Sequence, residues 1–171
     1  MKILGINGSS RKDGNTALLM REVFKGLEDA GMETSLIQLA DHTIEPCRAC
    51  FSCAKTGSCV FGQDDFNELF DLMTKADGIL LGSPVYSADV SARMKAFLER
   101  AAVAAVRRGG ALAAVDAMNH FFLNHEMFVV GSTYWNMAYG QMPGDVLSDA
   151  EGLDNMRNLG RNMAFLLQRL A

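Results

Sequence analysis

All four cysteines of the 171-residue chain fall within thirteen positions, in the run CRACFSCAKTGSC from Cys47 to Cys59. Their spacing is C-x2-C-x2-C-x5-C. Two x2 steps can set Cys47, Cys50 and Cys53 round one compact inorganic core. Cys59, across the Gly57 turn, can close it, and a 4Fe–4S cluster takes four such ligands. The bacterial ferredoxin run differs: three residues precede its fourth cysteine and a proline follows it. Here there are five, and Val60 follows. Zinc also takes four thiolates, although its common structural spacing is two x2 pairs separated by a longer run. A loop of reduced thiols without metal is the third reading, and the spacing alone leaves all three open.

A second group of chemistry-bearing residues lies in NGSSRKDGNT, Asn7 to Thr16. Gly8 and Gly14 permit a tight turn; Ser9, Ser10, Asn15 and Thr16 offer donors, and Arg11 a guanidinium. A helix start behind them adds backbone N–H groups, and together these make an anion site suited to a phosphate monoester. The loop is neither a P-loop, lacking Gly-Lys-Ser/Thr, nor the G-x-G-x-x-G dinucleotide turn. Read blandly, its Ser and Asn residues only cap a helix. A third group is SPVYSADVSARMKAFLER, from Ser83. Pro84, Val85, Tyr86 and Ser87 offer backbone groups and one flat aromatic of the kind that holds a planar heterocycle, and Ser91 can cap the following helix. A fourth is RRGGA: Gly109 and Gly110 let backbone approach a ligand closely, with Arg107 and Arg108 beside them.

These groups need a scaffold, and the apolar pattern predicts one. Strands are expected over Lys2–Asn7, Thr34–Leu39, GILLGSPVY, AVAAV and MFVVGS. Helices are expected over Thr16–Ala30, Asp64–Ala76, Ser91–Arg100, Ala111–Asn124 and Leu153–Leu170. Asp64 and Asp65 are read as acids at the positive end of a helix dipole. Alternating strands and helices predict one α/β domain over residues 1–171: a flavodoxin-like three-layer sandwich with a five-stranded parallel sheet, order 2-1-3-4-5. The cysteine loop, 46–63, is inserted before the second helix. Ligands of such sheets bind beyond the carboxyl ends of the strands at the switch point. Three of the four groups follow strands 1, 3 and 4.

NGSSRKDGNT followed by LGSPVYSADVSARMKAFLER resembles the NADPH-dependent FMN reductase family, and CRACFSCAKTGSCVFGQDDF resembles its iron–sulfur flavoprotein branch. The likeness runs along nearly the whole chain, to DAEGLDNMRNLGRNMAFLL. It implies an FMN whose phosphate lies near Ser9, Arg11, Asn15 and Thr16, with its ring along Pro84, Val85, Tyr86 and Ser87. The glycine loop would then stabilise negative charge near N1 of the reduced ring. The resemblance also assigns the thiols to a 4Fe–4S cluster. It implies an oxidoreductase that takes hydride from NAD(P)H at flavin N5, needs no catalytic side chain, and passes electrons on to a redox partner or small acceptor. Family members resemble homodimers or homotetramers with the flavin near a subunit boundary, so the cysteine loop is expected to approach an FMN across an interface. Two rivals remain: an FMN or quinone reductase without a working cluster, and a non-catalytic redox carrier or sensor.

Other features bound this reading. With 49% apolar and 21% charged residues the composition is globular, and a net charge of −4 gives no broad basic surface for nucleic acid. No signal peptide or membrane span is read, so a cytoplasmic protein is expected. His42, His120 and His125 have no carboxylate or cysteine at ligand spacing and are read as surface or helix-flank residues; the eleven methionines are read as core and interface packing. The loop holding Tyr134, Trp135, Met137 and Tyr139 is read as an interface segment. The chain passes from KAFLER into AAVAAVRRGG with almost no connection, where such units use roughly 2–6 residues. The resembling family has more chain here, which raises the expectation of a missing mobile segment near Ala101.

Overall fold

The computed structural model describes residues 1–86, 89–105, 122, 126–134, 136, 138–140 and 143–170. The elements are β1 (Lys2–Asn7), α1 (Asn15–Asp29), β2 (Glu33–Gln38), a one-turn α2 (Cys53–Thr56), α3 (Phe66–Thr74), β3 (Gly78–Gly82), α4 (Ala92–Ala105) and α5 (Ala150–Leu170). Short 3-10 turns cover Leu39–Asp41 and Asp145–Ser148.

Among the described residues the sheet has three parallel strands in the order β2-β1-β3. Ile3 pairs with Thr34 on one side and Gly78 on the other; Asn7 ends opposite Gln38 and Gly82. Because side chains alternate along a strand, Leu4 and Ile6 enter one core with Phe66, Phe70, Met94 and Phe97 of α3 and α4. Ile3 enters the other with Met20, Val23 and Leu27 of α1 and Met156, Leu159 and Met163 of α5. This is the expected three-layer arrangement. Six methionines (Met20, Met32, Met73, Met94, Met156 and Met163) are buried, in keeping with a packing role. On the α1–α5 contact, Gly26 lies so close that an added Cβ would sit 3.2 Å from the Arg161 nitrogen, and Gly160 meets the backbone of Val23.

Two expected strands are not strands. AVAAV is helical through Ala105, as the end of α4. Alanine is the strongest helix former, and nothing between Arg100 and Ala105 stops the helix, so Ala101, Ala102 and Ala104 extend its buried stripe. Ala101 is fully buried in the middle of this helix. MFVVGS has no strand pairing: a strand exists only against a neighbour's backbone, and among the described residues none flanks β3 on its outer side. The helix expected over Ala111–Asn124 lies outside the described residues, apart from Phe122. No described helix is long and apolar enough to cross a membrane.

Candidate functional site

The chain leaves β1, crosses to β2 on one side and returns to β3 on the other, so the β1–β3 boundary is the switch point. There the two loops are tied together. Gly8 N–H donates to the Gly82 carbonyl at 2.8 Å, and Ser91 Oγ donates to the Gly8 carbonyl at 2.7 Å. Ser91 also accepts from Met94 N–H at 3.2 Å, the expected cap of α4. Gly8 is required by close approach: a Cβ there would meet Met94 Cβ at 2.8 Å and Ser91 Oγ at 2.9 Å.

Buried Asn7 shapes the first loop. Its Oδ1 accepts from Ser9 N–H at 3.0 Å, and its amide donates to Gln38 Oε1 at 2.7 Å. Ser9 Oγ in turn accepts from Arg11 N–H at 3.1 Å, and Gly14 N–H closes the turn on the Arg11 carbonyl. Ser10 and Arg11 are exposed. Gly14 occupies the cap position of α1 and has no side chain to offer, so the helix start faces this loop uncapped by a side chain. Thr16 stands half-buried in the first turn. Asn15 is also half-buried there, and its Oδ1 accepts from Gly144 N–H at 2.9 Å. It fastens the 143–148 turn to the loop.

In the second loop, Ser83 Oγ donates to the Pro84 carbonyl at 2.8 Å and accepts from Ser91 N–H at 2.9 Å. Tyr86 and Asp89 exchange backbone hydrogen bonds at 2.9 and 3.0 Å. Val85 and Tyr86 project from the sheet edge, 78% and 51% exposed, beside the first loop. An apolar rim next to an anion-suited turn fits a phosphorylated heterocycle. Ser87, Arg107, Arg108, Gly109 and Gly110 lie outside the described residues. So do Trp135, Met137, His120 and His125, while Tyr134 and Tyr139 are exposed.

All four cysteines line one cavity of about 230 Å³, together with Arg48, Phe61 and Arg100. Ala49 and Phe51 take left-handed backbone (φ 51° and 55°) on either side of Cys50, and Gly57 (φ 72°) ends the single turn of α2. Of the four thiols, Cys53 is buried, Cys47 and Cys59 are half-buried and Cys50 is exposed. Burial pushes the Cys53 thiol up, and the charges of Cys59, Cys47 and Cys50 push it further. Hydrogen bonds from Ser52 hold Cys50 below the ordinary thiol value. Cys59 is clamped by Asn67, which accepts its N–H at 3.0 Å and donates to its carbonyl at 2.8 Å. Among the described residues no group of three or more His, Cys, Asp or Glu side chains is set to hold a metal ion. Among the described residues two guanidinium groups and no carboxylate border the cavity. Four thiols round one cavity are a donor set that a 4Fe–4S cluster or a zinc ion takes.

Sequence reasoning missed Arg100. Its side chain is 2% exposed. It pairs with Asp64, donates to the Glu45 and Phe61 carbonyls at 3.2 and 3.1 Å, and donates from Nη2 to Cys59 Sγ at 3.2 Å. The signal was its place three residues after Phe97, on the apolar stripe of α4, where a charge needs a partner. Burial opposes ionisation of Asp64, but the hydrogen bond from Arg100, the N–H groups of Glu45 and Phe66 and the Arg100 charge outweigh it. The carboxyl is thus held below its ordinary value. Asp64 and Asp65 thus do more than face a helix dipole: they fasten Glu45 and Thr43 to the start of α3. Asp65 also lies 3.4 Å from His42 Nδ1, a carboxylate neighbour that the spacing did not reveal.

The model of the family described as NADPH-dependent FMN reductase matches residues 1–141. An iron–sulfur flavoprotein of Methanocaldococcus jannaschii is 39% identical, covering 96% of each chain. One from Archaeoglobus fulgidus is 29% identical, covering 98% of each. The first alignment runs over 186 positions, more than the 171 residues of this chain, so that relative carries residues without a counterpart here. Among solved structures, the fold is similar to an NAD(P)H:quinone oxidoreductase from Methanothermobacter marburgensis (TM-score 0.64, 14% identity, 95% and 96% of the chains). It is also similar to the Trp repressor binding protein from Bacillus subtilis (TM-score 0.62, 19% identity, 92% and 96%). These likenesses show a flavodoxin-like α/β fold. The chain belongs to the NADPH-dependent FMN reductase family, as an FMN-dependent oxidoreductase related to iron–sulfur flavoproteins.

Proposed function

We propose that this protein is an electron-transferring iron–sulfur flavoprotein: it takes hydride from NAD(P)H onto FMN and passes electrons on through a 4Fe–4S cluster held by Cys47, Cys50, Cys53 and Cys59. When bound, the flavin accepts electrons in pairs and the cluster passes them singly. The chain supplies binding and orientation. Ser9, Ser10, Arg11, Gly14, Asn15 and Thr16, with the start of α1, hold the phosphate. Asn15 steadies that turn from behind through Gly144. Pro84, Val85, Tyr86 and Ser87 bear on the ring, and Arg107, Arg108, Gly109 and Gly110 on its pyrimidine edge. No side chain acts as acid or base. The observation that carries the reading is the gathering of all four thiols round one cavity bordered by two arginines. A cytoplasmic setting would keep those thiols reduced.

Phe51 and Val60, at the mouth of this cavity, are 64% and 57% exposed. Apolar surface of this kind marks an interface. We assign it to a second copy of the chain, which would bring the thiol loop toward a neighbouring flavin.

The test is anaerobic purification followed by a visible spectrum, flavin release, and iron and acid-labile sulfide assays. About four of each per chain, with one FMN, is the expected result. Zinc or bare thiols beside full flavin would instead leave a reductase without a cluster. Rapid mixing with NADH and NADPH should bleach the flavin with at least one of them. Failure with both would indicate a carrier or sensor. Light scattering should give a dimer or tetramer.

A further inference from the structure

We infer that Arg100 positions Cys59 as a cluster ligand and favours the reduced state of the core, through the hydrogen bond from its Nη2 to the Cys59 sulfur. This rests on the proposed cluster. A guanidinium has five N–H donors in a fixed plane and stays protonated throughout. Here Nη1 serves Asp64 and the Glu45 carbonyl, while Nη2 serves Cys59 Sγ at 3.2 Å and the Phe61 carbonyl at 3.1 Å. The group is also seated over the Phe66 ring, 4.1 Å from its centroid. These contacts fix the plane of the guanidinium, so the N–H aimed at Cys59 is held in place before any ligand arrives.

The four backbone and side-chain partners on the thiol segment (Glu45, Cys59, Phe61 and Asp64) come from both ends of the loop. Arg100 thus fastens the loop to α4 as well as contacting its last cysteine. Asp64 neutralises part of its charge, so the effect on the sulfur is chiefly that of a directed N–H donor in a dry setting. One-electron reduction of the core moves no proton and places more negative charge on the ligand sulfurs. A hydrogen bond to such a sulfur strengthens with that charge and favours the reduced form.

The test begins with the wild-type holoprotein, prepared anaerobically. Absence of iron and sulfide there would overturn the cluster reading, and this inference with it. With the cluster present, two variants are compared by redox titration monitored by electron paramagnetic resonance. Arg100→Lys keeps a cation beside Asp64 but loses the fork that reaches Cys59. The double variant Arg100→Gln with Asp64→Asn leaves no buried carboxylate unpaired. Each should lower the one-electron reduction equilibrium about tenfold, a potential shift of about 59 mV to more negative values. The iron–cysteine stretching bands should shift with it. A folded variant with full iron content and wild-type potential would overturn the inference.

A measurement without change at Arg100 covers the case in which neither variant folds. Arginine labelled with 15N is incorporated into Arg48→Lys protein, which leaves Arg100 as the only arginine bordering the cavity among the described residues. The reduced cluster should then show 15N hyperfine coupling. Its absence would exclude the contact.

Discussion

Ser91 Oγ reaches across 83 positions of sequence to donate to the carbonyl of Gly8 at 2.7 Å, joining the turn after β1 to the helix after β3. The same oxygen accepts from Met94 N–H, so one hydroxyl caps α4 and closes the cradle between the two loops. Ser91→Ala removes a cap and leaves a buried carbonyl unpaired, and should cost about 1–3 kcal/mol. Urea unfolding measures that cost, and FMN titration should show weaker binding. Unchanged stability and affinity would contradict this role.

Arg11 stands exposed on the first loop, over a turn closed by Gly14. Charge-assisted hydrogen bonds to phosphate are the strong ones. Arg11→Ala should therefore weaken FMN about tenfold or more while leaving riboflavin, which lacks the phosphate, nearly unaffected. Fluorescence titration with both flavins separates the two. Equal losses would move the phosphate away from this loop.

Asp64 is ionised in the folded chain below its ordinary range, so its contribution to stability is fully present above pH about 4 and is lost as the pH falls through the folded value. At neutral pH Asp64→Asn breaks a buried pair and should cost about 3–5 kcal/mol. The gap between wild type and variant should close as the pH is lowered below 4. Denaturant midpoints collected from pH 7 to 3 check both statements.

Gly160 of α5 packs against the backbone of Val23 in α1. Alanine would gain up to about 1 kcal/mol of helix propensity over glycine. Against this, its Cβ meets backbone that cannot rotate aside, and overpacking of this kind costs about 1–3 kcal/mol. Gly160→Ala should therefore be destabilising, whereas the same change on an open helix face would stabilise. A raised melting temperature would show that the two helices can part at little cost.

Much of the cradle was legible because its determinants are local. An apolar run ending in Gly8, a donor-rich turn and a helix start lie consecutively in the chain, and so do GILLG, Pro84 and the Ser91 cap. The thiol loop was legible in membership but not in mechanism, since Arg100 lies 36 residues from Asp64 and 41 from Cys59. The bond between Gly144 and Asn15 spans 129 positions and was likewise not legible. AVAAV was misread for a different reason. Two valines among alanines suit a buried strand as well as a helix, and the absence of a stop between Arg100 and Ala105 decided in favour of the helix. MFVVGS carries the composition of a strand, but composition cannot supply the neighbour that a strand requires.

Helix α4 begins beside Ser91 at the cradle and carries Arg100 to the thiol pocket, about 14 Å further along its axis. The two centres therefore share a single stiff strut. On the proposed function, a tilt of this helix would reach both ends at once, so loading the pocket with a cluster and loading the cradle with flavin should each alter the grip of the other.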